Sequence, residues 1–287
     1  MVRDAAAGRR SGGCGQARRP GAQTETAMLT VTGLTKSFGD RPVLAGVDLV
    51  INAGESVALL GSNGSGKTTT LRCIVGLARP DAGSVTIGGI DCAREPIGAR
   101  RHLSYLPQKS VFPPTLTVRE TLAVVARLRD LSPGAVDREL EACGLMHLAD
   151  SGVGHLSGGE RQRLAMAVAF LPEVDLYLFD EPSANLDPAA SRTLFQRARQ
   201  LKREGRTLLF TTHVPADVRH LATRVVLLRD GRIESEAAGE FELRRYERAL
   251  ERDLWGDDHE DSRADDRVVV DGRLCGAGTV SGAGAGR

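Results

Sequence analysis

Short, nearly continuous runs of apolar residues recur along the middle of the chain. They lie at residues 57–60, 174–179, 207–211 and 225–228, and they are separated by longer segments of mixed polarity. Strands that are covered on both faces have this continuous pattern, whereas strands with one solvated face alternate apolar and polar residues. The pattern therefore predicts a central, mostly parallel sheet.

The segments between these runs have helical spacing. Helices are predicted at 68–75, 188–203 and 215–221, and Pro188 supports the second of them because proline is favoured at the first helical position. From about residue 117 to 148 helices follow one another without a strand, ending in a helix predicted over 157–171. The chain is thus predicted to alternate strand and helix around one all-helical stretch.

The first segment of the chain, residues 1–27, is rich in Ala, Gly and Arg and has almost no large apolar side chains. It lacks the continuous hydrophobic stretch of a secretory signal, and we expect it to be disordered. Met28 directly precedes residues 29–34, Leu-Thr-Val-Thr-Gly-Leu, which read as a first strand. Two alternatives stay open: Met28 is the physiological start, or the preceding residues form a basic arm.

The last part of the chain has two different patterns. Residues 237–255 are predicted to form an amphipathic helix, because Leu243, Tyr246, Leu250 and Leu254 recur at helical spacing. This apolar stripe either packs against the domain or contacts a dimer or membrane partner. Residues 256–287 are acidic and then Gly/Ala-rich, a composition that cannot offset the entropy of ordering, so we expect a disordered tail.

Composition excludes several classes of protein. Lys+Arg total 38 and Asp+Glu total 37, so no strong field attracts nucleic acid, and no nucleic-acid partner is expected. No apolar run reaches the length of a membrane span, so any membrane role must come from a partner. The 5 cysteines are scattered and form no CxxC pair, which argues against a disulfide framework or a zinc site.

Residues 61–68 read Gly-Ser-Asn-Gly-Ser-Gly-Lys-Thr, the spacing of a phosphate-binding loop. Its glycines let successive backbone N–H groups point into one concavity, where they and the following helix N-terminus hold phosphate oxygens. Lys67 is expected to reach the β- and γ-phosphates, and Thr68 to ligate Mg²⁺. Rather than a chance glycine-rich turn, the sequence predicts a nucleoside triphosphate site formed by Gly61, Ser62, Asn63, Gly64, Ser65, Gly66, Lys67, Thr68 and Thr69.

More motifs accompany this loop in a fixed order. Residues 156–163 read LSGGERQR, 176–181 LYLFDE, 183–187 SANLD and 211–213 TTH, with Gln108 between the loop and the first of these. They resemble the signature sequence, Walker B strand, D-loop, switch histidine and Q-loop of ATP-binding cassette (ABC) ATPases. The resemblance covers residues 28–236. It implies an α/β fold: a P-loop NTPase (RecA-like) core with a β-rich N-terminal subdomain and an inserted α-helical subdomain at about 110–171.

The resemblance also implies roles for single residues, with ATP and Mg²⁺ as cofactors. Asp180 would hold Mg²⁺, usually through water, together with Thr68 and Gln108. Glu181 is the candidate general base for the attacking water. His213 would be the switch histidine, and the alternative is a satisfied core histidine.

Other residues would complete the nucleotide site. Phe38 matches the aromatic residue that stacks on adenine, and the alternative is a core phenylalanine. In the family, Ser157, Gly158 and Gly159 open a helix that points at the γ-phosphate held by another subunit, and Asp187 lies at the same interface. Ser157 would also be the local helix N-cap. A second ATPase subunit is therefore expected, in a homodimer or a paired cassette.

Two functions fit such an ATPase. The first is the ATP-binding subunit of a membrane transporter, docked on a transmembrane permease subunit near Gln108, at the cytoplasmic face of the cell membrane. The second is a soluble ABC ATPase that acts on ribosomes or DNA. Those relatives generally carry two cassettes or a long coiled-coil insertion, and the sequence has neither. The segment from 105 to 120 is more similar to exporters of the drug and copper-maturation type than to importers.

Overall fold

The computed structural model describes residues 27–184 and 186–238. The strands are β1 (Ala27–Phe38), β2 (Arg41–Asn52), β3 (Ser56–Leu60), β4 (Ala82–Ile87), β5 (Ile90–Asp91), β6 (Leu103–Leu106), β7 (Leu176–Asp180), β8 (Thr207–Thr211), β9 (Arg224–Arg229) and β10 (Arg232–Ala238). The helices are α1 (Lys67–Ile74), α2 (Pro96–Arg101), α3 (Val118–Leu128), α4 (Ala135–Ala142), α5 (Gly158–Phe170), α6 (Pro188–Arg203) and α7 (Pro215–Leu221). Short 3₁₀ turns lie at Met146–Leu148 and Val153–His155.

The central sheet has the strand order β10-β9-β3-β8-β7-β6. All neighbouring strands in it are parallel except β10, which pairs antiparallel with β9. Both faces are covered, as the strand β7 shows: Leu176 and Leu178 pack into one apolar cluster, and Tyr177 and Phe179 into another. This double burial explains the continuous apolar runs and confirms the predicted α/β fold.

A second, antiparallel sheet has the strand order β2-β1-β4-β5 and forms the β-rich N-terminal part of the fold. Its buried side chains, such as Leu29 and Ile87, share one core cluster with Leu71 and Ile74 of α1 and with Leu209 of the central sheet. Helix α1 is therefore held between the two sheets, which gives the loop before it a rigid frame.

A separate apolar cluster forms the helical part, which joins α3, α4 and one side of α5. Helix α3 begins at a capping box, in which Thr117 and Glu120 satisfy each other's backbone N–H groups. Two arginines tie this part to the core. Arg129, after α3, donates to carbonyl oxygens of residues 100, 101 and 103, and Arg197 of α6 donates to Glu139 of α4 at 2.8 Å.

We expect Glu139→Ala to destabilise the fold by about 3 kcal/mol, since removing one partner leaves the other charge buried without compensation. The side chains of Arg197 and Glu139 are only 22% and 9% exposed, and the Arg197 guanidinium also lies 4.8 Å from the Phe170 ring centre. Denaturant unfolding measures the loss. The matched control is Glu234→Ala, which breaks a surface pair with Arg229 and should cost less than about 1 kcal/mol. Equal losses in the two variants would contradict this prediction.

The predicted boundaries need small corrections. Strand β1 begins at Ala27, so the predicted extension ends one residue earlier, because Ala27 pairs with Asn52. Strand β10 continues to Ala238, which pairs with Arg224. Residues 237 and 238 therefore belong to a strand, whereas the predicted helix began at 237. The rest of the predicted helix, the acidic tail and residues 1–26 lie outside the described residues. None of the described helices combines the length and apolar character needed to cross a bilayer.

Candidate active site

The loop between β3 and α1 has a backbone that only glycine can adopt. Gly61, Gly64 and Gly66 have φ angles of 153°, 85° and 108°, in the region that L side chains avoid. A Cβ atom on Gly61 would lie 2.3 Å from the Leu228 carbonyl oxygen, a contact that backbone atoms cannot relieve. The loop is therefore packed directly against β9, and its shape is set before any ligand binds.

Lys67, the first residue of α1, is buried with its amino group turned back over the loop. Its Nζ donates to the carbonyl oxygens of Gly61 at 2.7 Å and Ser62 at 3.1 Å. Burial lowers the pKa of Lys67, while the carboxylates of Glu181 and Asp180 raise it. The N-cap residue of α1, Gly66, offers no side-chain acceptor to the helix N–H groups. An anion in the loop would meet both the ammonium group and these N–H groups.

A buried carboxylate lies beside the start of α1. Asp180 ends β7, and its Oδ1 accepts from Thr68 Oγ1 at 3.1 Å and from Thr211 Oγ1 at 2.8 Å. The carboxylate and the hydroxyl groups offer oxygen ligands, which Mg²⁺ prefers. Mg²⁺ typically takes one or two carboxylates and completes its shell with water and phosphate oxygens. The residues present thus fit Mg²⁺ bound together with a phosphate.

Glu181 follows Asp180 with a φ of 50°, an uncommon value for a residue with a side chain. Its N–H donates to Thr211 Oγ1 at 2.9 Å, which holds this strained turn against the end of β8. Its Oε2 accepts from Gln108 Nε2 at 2.7 Å, and its Oε1 lies 3.5 Å from Nδ1 of His213. The side chain of His213 is exposed, so it is not a core histidine.

Glu181 and Gln108 line a cleft of about 370 Å³ together with part of the phosphate loop, whereas Asp180 and His213 are not among the described residues that line it. Phe38 forms part of its wall and is 55% exposed, so it is not a core phenylalanine. Lys36 Nζ lies 5.3 Å from the centre of its ring. The cleft is lined by Phe38, Arg41, Val43, Asn63, Gly64, Gly66, Lys67, Thr68, Thr69, Gln108 and Glu181.

The signature residues lie elsewhere in the chain. Ser157 is the N-cap of α5, where its Oγ accepts from the N–H of Glu160, and Gly158 and Gly159 form the first turn. Asp187 caps α6 by accepting from the N–H groups of Ala189 and Ala190, which lowers its pKa. Its other oxygen accepts from Arg163 of α5 at 3.2 Å. None of the predicted residues Ser157, Gly158, Gly159 and Asp187 lines the cleft of their own chain.

A second concavity, of about 620 Å³, also has Gln108 in its wall; we call it the Gln108 groove. It lies between the core and the helical part, with Val168 and Ala165 of α5 on one side. Two of its apolar side chains face solvent, Leu77 at 70% and Val111 at 92% exposure. The groove is lined by Arg72, Leu77, Tyr105, Pro107, Gln108, Lys109, Ser110, Val111, Phe112, Ala165, Val168 and Asp180.

Thr211 was not predicted to be a site residue, although its hydroxyl contacts both Asp180 and Glu181. A polar residue at the end of an apolar strand was the available signal. Arg41 and Val43 of β2 also line the cleft. No local sequence pattern predicts this, because only the packing of the two sheets brings these residues near the loop.

Several known proteins are similar to this chain in sequence. The family model described as "ABC transporter" matches residues 44–184. The "Nod factor export ATP-binding protein I" of Burkholderia lata is 38% identical over 216 residues, which is 74% of this chain and 71% of that protein. The protein of the same name from Rhizobium meliloti is 36% identical over 216 residues, 74% of this chain and 64% of that protein.

Solved structures of ATP-binding cassettes are also similar to this chain. The ATP-binding subunit of an ABC transporter matches with a TM-score of 0.71 and 32% identity, over 79% of this chain and 99% of that one. A dimeric ATP-binding cassette in a post-hydrolysis state, bound to ADP and Pi, matches with a TM-score of 0.68 and 28% identity. That match covers 74% of this chain and 98% of the other.

Proposed function

The chain belongs to the ABC transporter family as an ATP-binding subunit, and from this premise we propose that it hydrolyses ATP with Mg²⁺ to drive export through a membrane partner. The observation that carries the proposal is the convergence of Lys67, Asp180, Glu181 and His213 at the carboxyl ends of neighbouring strands, next to the phosphate loop. Ligands of open α/β sheets bind at this edge.

ATP would bind with its phosphates in the loop, where Lys67 and the N–H groups at the start of α1 neutralise their charge. The amino group of Lys67 already lies over the loop, so little reorganisation is needed. The ring of Phe38, which is exposed and lines the cleft with Lys36 over one face, would stack on the adenine base through its other face. The adenine contact and the phosphate contacts together would orient the γ-phosphate toward Glu181.

Hydrolysis needs an oriented water and neutralisation of phosphate charge. Asp180, Thr68 and Gln108 would hold Mg²⁺, which would neutralise part of that negative charge. Glu181 would accept the proton of the attacking water, and Gln108 Nε2 holds one of its oxygens at 2.7 Å. His213, whose Nδ1 lies 3.5 Å from the other oxygen, would contact the γ-phosphate.

The signature residues would act on a second cassette. Ser157, Gly158 and Gly159 open α5 but do not line their own chain's cleft, as expected if they complete the site of a partner. The helix N-terminus would then face the γ-phosphate held by that partner. ATP would join two cassettes and hydrolysis would release them, in a homodimer or in a pair with a different cassette.

The membrane partner would dock in the Gln108 groove. Gln108 lines both the groove and the cleft, so a change at the γ-phosphate would reach the partner through this residue. The chain would then lie peripherally on the cytoplasmic face of the cell membrane. The names of the relatives support export over the alternative of an ATPase that acts on ribosomes or DNA.

We expect Val111→Asp to reduce the membrane-bound fraction of the chain by about 10-fold or more, because a charge would replace an exposed apolar anchor of the groove. Membrane fractionation of cells that carry the complete transporter measures this fraction. Ile97→Asp is the matched control, since Ile97 is 72% exposed but does not line the groove. Membrane binding that survives Val111→Asp, or falls equally in both variants, would contradict the docking site.

A further inference from the structure

Asp217, on α7, is a fully buried carboxylate to which the proposed function assigns no role; its relative exposure is 0%. Its Oδ2 accepts from Ser183 Oγ and from Thr212 Oγ1, each at 2.6 Å. Distances this short are typical of a hydroxyl that donates to an ionised carboxylate. Burial raises the pKa of Asp217, while the two hydroxyl groups and the nearby His213 and His220 oppose that rise.

The two hydroxyl groups come from the two turns that carry the proposed catalytic groups. Ser183 lies two residues after Glu181, in a turn where the N–H of Ala184 donates to the Glu181 carbonyl oxygen. Thr212 directly precedes His213, and its Oγ1 also accepts from the N–H of Val214 at 2.9 Å. The Thr212 hydroxyl thus bridges the backbone on both sides of His213, and it donates its hydrogen bond to Asp217.

Thr211, the preceding residue, makes a second connection between the same two turns. Thr211 Oγ1 donates to Asp180 and accepts from the N–H of Glu181. Consecutive threonines at the end of β8 therefore tie this turn to the Asp180–Glu181 segment directly and, through Asp217, to Ser183. The 3.5 Å separation of His213 and Glu181 is too long for a strong hydrogen bond, so the backbone must set their relative placement.

Stability alone does not account for the burial of this carboxylate. Its Oδ1 has no hydrogen-bond partner among the described residues, and a buried unsatisfied acceptor is costly. An acidic residue in the first turn of a helix does interact well with the helix dipole, but that role predicts an effect on folding and none on turnover.

We propose that Asp217 is a positioning residue that holds the turn carrying His213 against the turn that follows Glu181. It thereby keeps the side chains of His213 and Glu181 in the relative position that hydrolysis needs. This inference rests on the proposed function. Through Asp217, a movement of the 183–187 segment would be transmitted to His213, because one carboxylate oxygen holds both turns.

The test compares variants of the full chain by ATPase kcat, ATP dissociation constant and melting temperature. Asp217→Ala should lower kcat by about 10- to 100-fold, since misplacing a catalytic group by about 1 Å has effects of that size. ATP affinity should change by less than about three-fold, because Asp217 does not line the cleft. Asp217→Asn should restore most of the rate, since its amide oxygen can accept from both hydroxyl groups.

Two further variants separate positioning from stability. Ser183→Ala removes the hydroxyl donor of the turn that follows Glu181, and combining it with Asp217→Ala should cost no more kcat than Asp217→Ala alone. Asp137→Ala removes an acidic residue from the first turn of α4 and should leave kcat unchanged. If Asp217→Ala leaves kcat unchanged, if the double variant is additive, or if kcat losses merely follow melting temperature, the inference is wrong. A wild-type chain that does not hydrolyse ATP, with its partner cassette present, would instead contradict the proposed function.

Discussion

Glu181→Gln should reduce ATP hydrolysis by about 100-fold or more, because it removes the base and keeps the shape of the side chain. The amide of Gln can still accept from Gln108 Nε2, which holds Glu181 at 2.7 Å, so the cleft should stay intact. ATP and Mg²⁺ should bind as before through Lys67, Thr68 and Asp180. Single-turnover ATPase measurements test this. Glu141→Gln, an equally conservative change on the exposed side of α4, should have no effect.

The same variant tests the shared site. Bound ATP should persist, and the γ-phosphate should hold two cassettes together through the signature residues of the opposite chain. Size-exclusion chromatography should therefore show a dimer with ATP and a monomer with ADP, with the partner cassette added if the chain does not self-associate. A Glu181→Gln chain that hydrolyses ATP at the wild-type rate would exclude Glu181 as the base. One that is inactive, loaded with ATP and still monomeric would exclude the shared site.

Lys67→Ala should weaken ATP binding by about 10- to 100-fold, the size of one lost hydrogen bond to a charged group. The lysine is buried, and its amino group donates to the carbonyl oxygens of Gly61 at 2.7 Å and Ser62 at 3.1 Å, over the loop in which the phosphates would lie. Hydrolysis and ATP-dependent dimerisation should both be lost at ATP concentrations that saturate the wild-type chain.

Equilibrium binding of a fluorescent ATP analogue measures this loss. Lys202→Ala is the control, because Lys202 is exposed near the end of α6. Its removal should leave the dissociation constant within about two-fold, since Lys202 does not line the cleft and an exposed charge is screened by salt. An unchanged affinity in Lys67→Ala would show that the phosphates bind elsewhere.

Local features of the sequence were sufficient for much of the central sheet. The predicted helices 188–203 and 215–221 coincide with α6 and α7, and the predicted strand 207–211 with β8. Other boundaries moved by one or two residues; the strand predicted at 174–179, for example, is Leu176–Asp180. These elements are predictable because continuous apolar runs, helix caps and prolines act within one turn or one strand.

The phosphate loop was predictable for the same reason. Glycine spacing and a following lysine define a backbone shape that needs little from the rest of the chain. The structure also explains why no other residue fits at Gly61. A Cβ there would collide with the carbonyl oxygen of Leu228, which is distant in sequence.

The fold class, the phosphate loop and most residues at the cleft could therefore be predicted from local sequence patterns. How these residues are held depends on packing: the Glu139–Arg197 ion pair between the helical part and the core, the Gln108 groove, and the Asp217 contacts between the turns at Glu181 and His213. Each depends on side chains that are distant in sequence, and their partners are selected only when sheets and helices pack. Periodicity and motif spacing are local properties and carry no information about that choice.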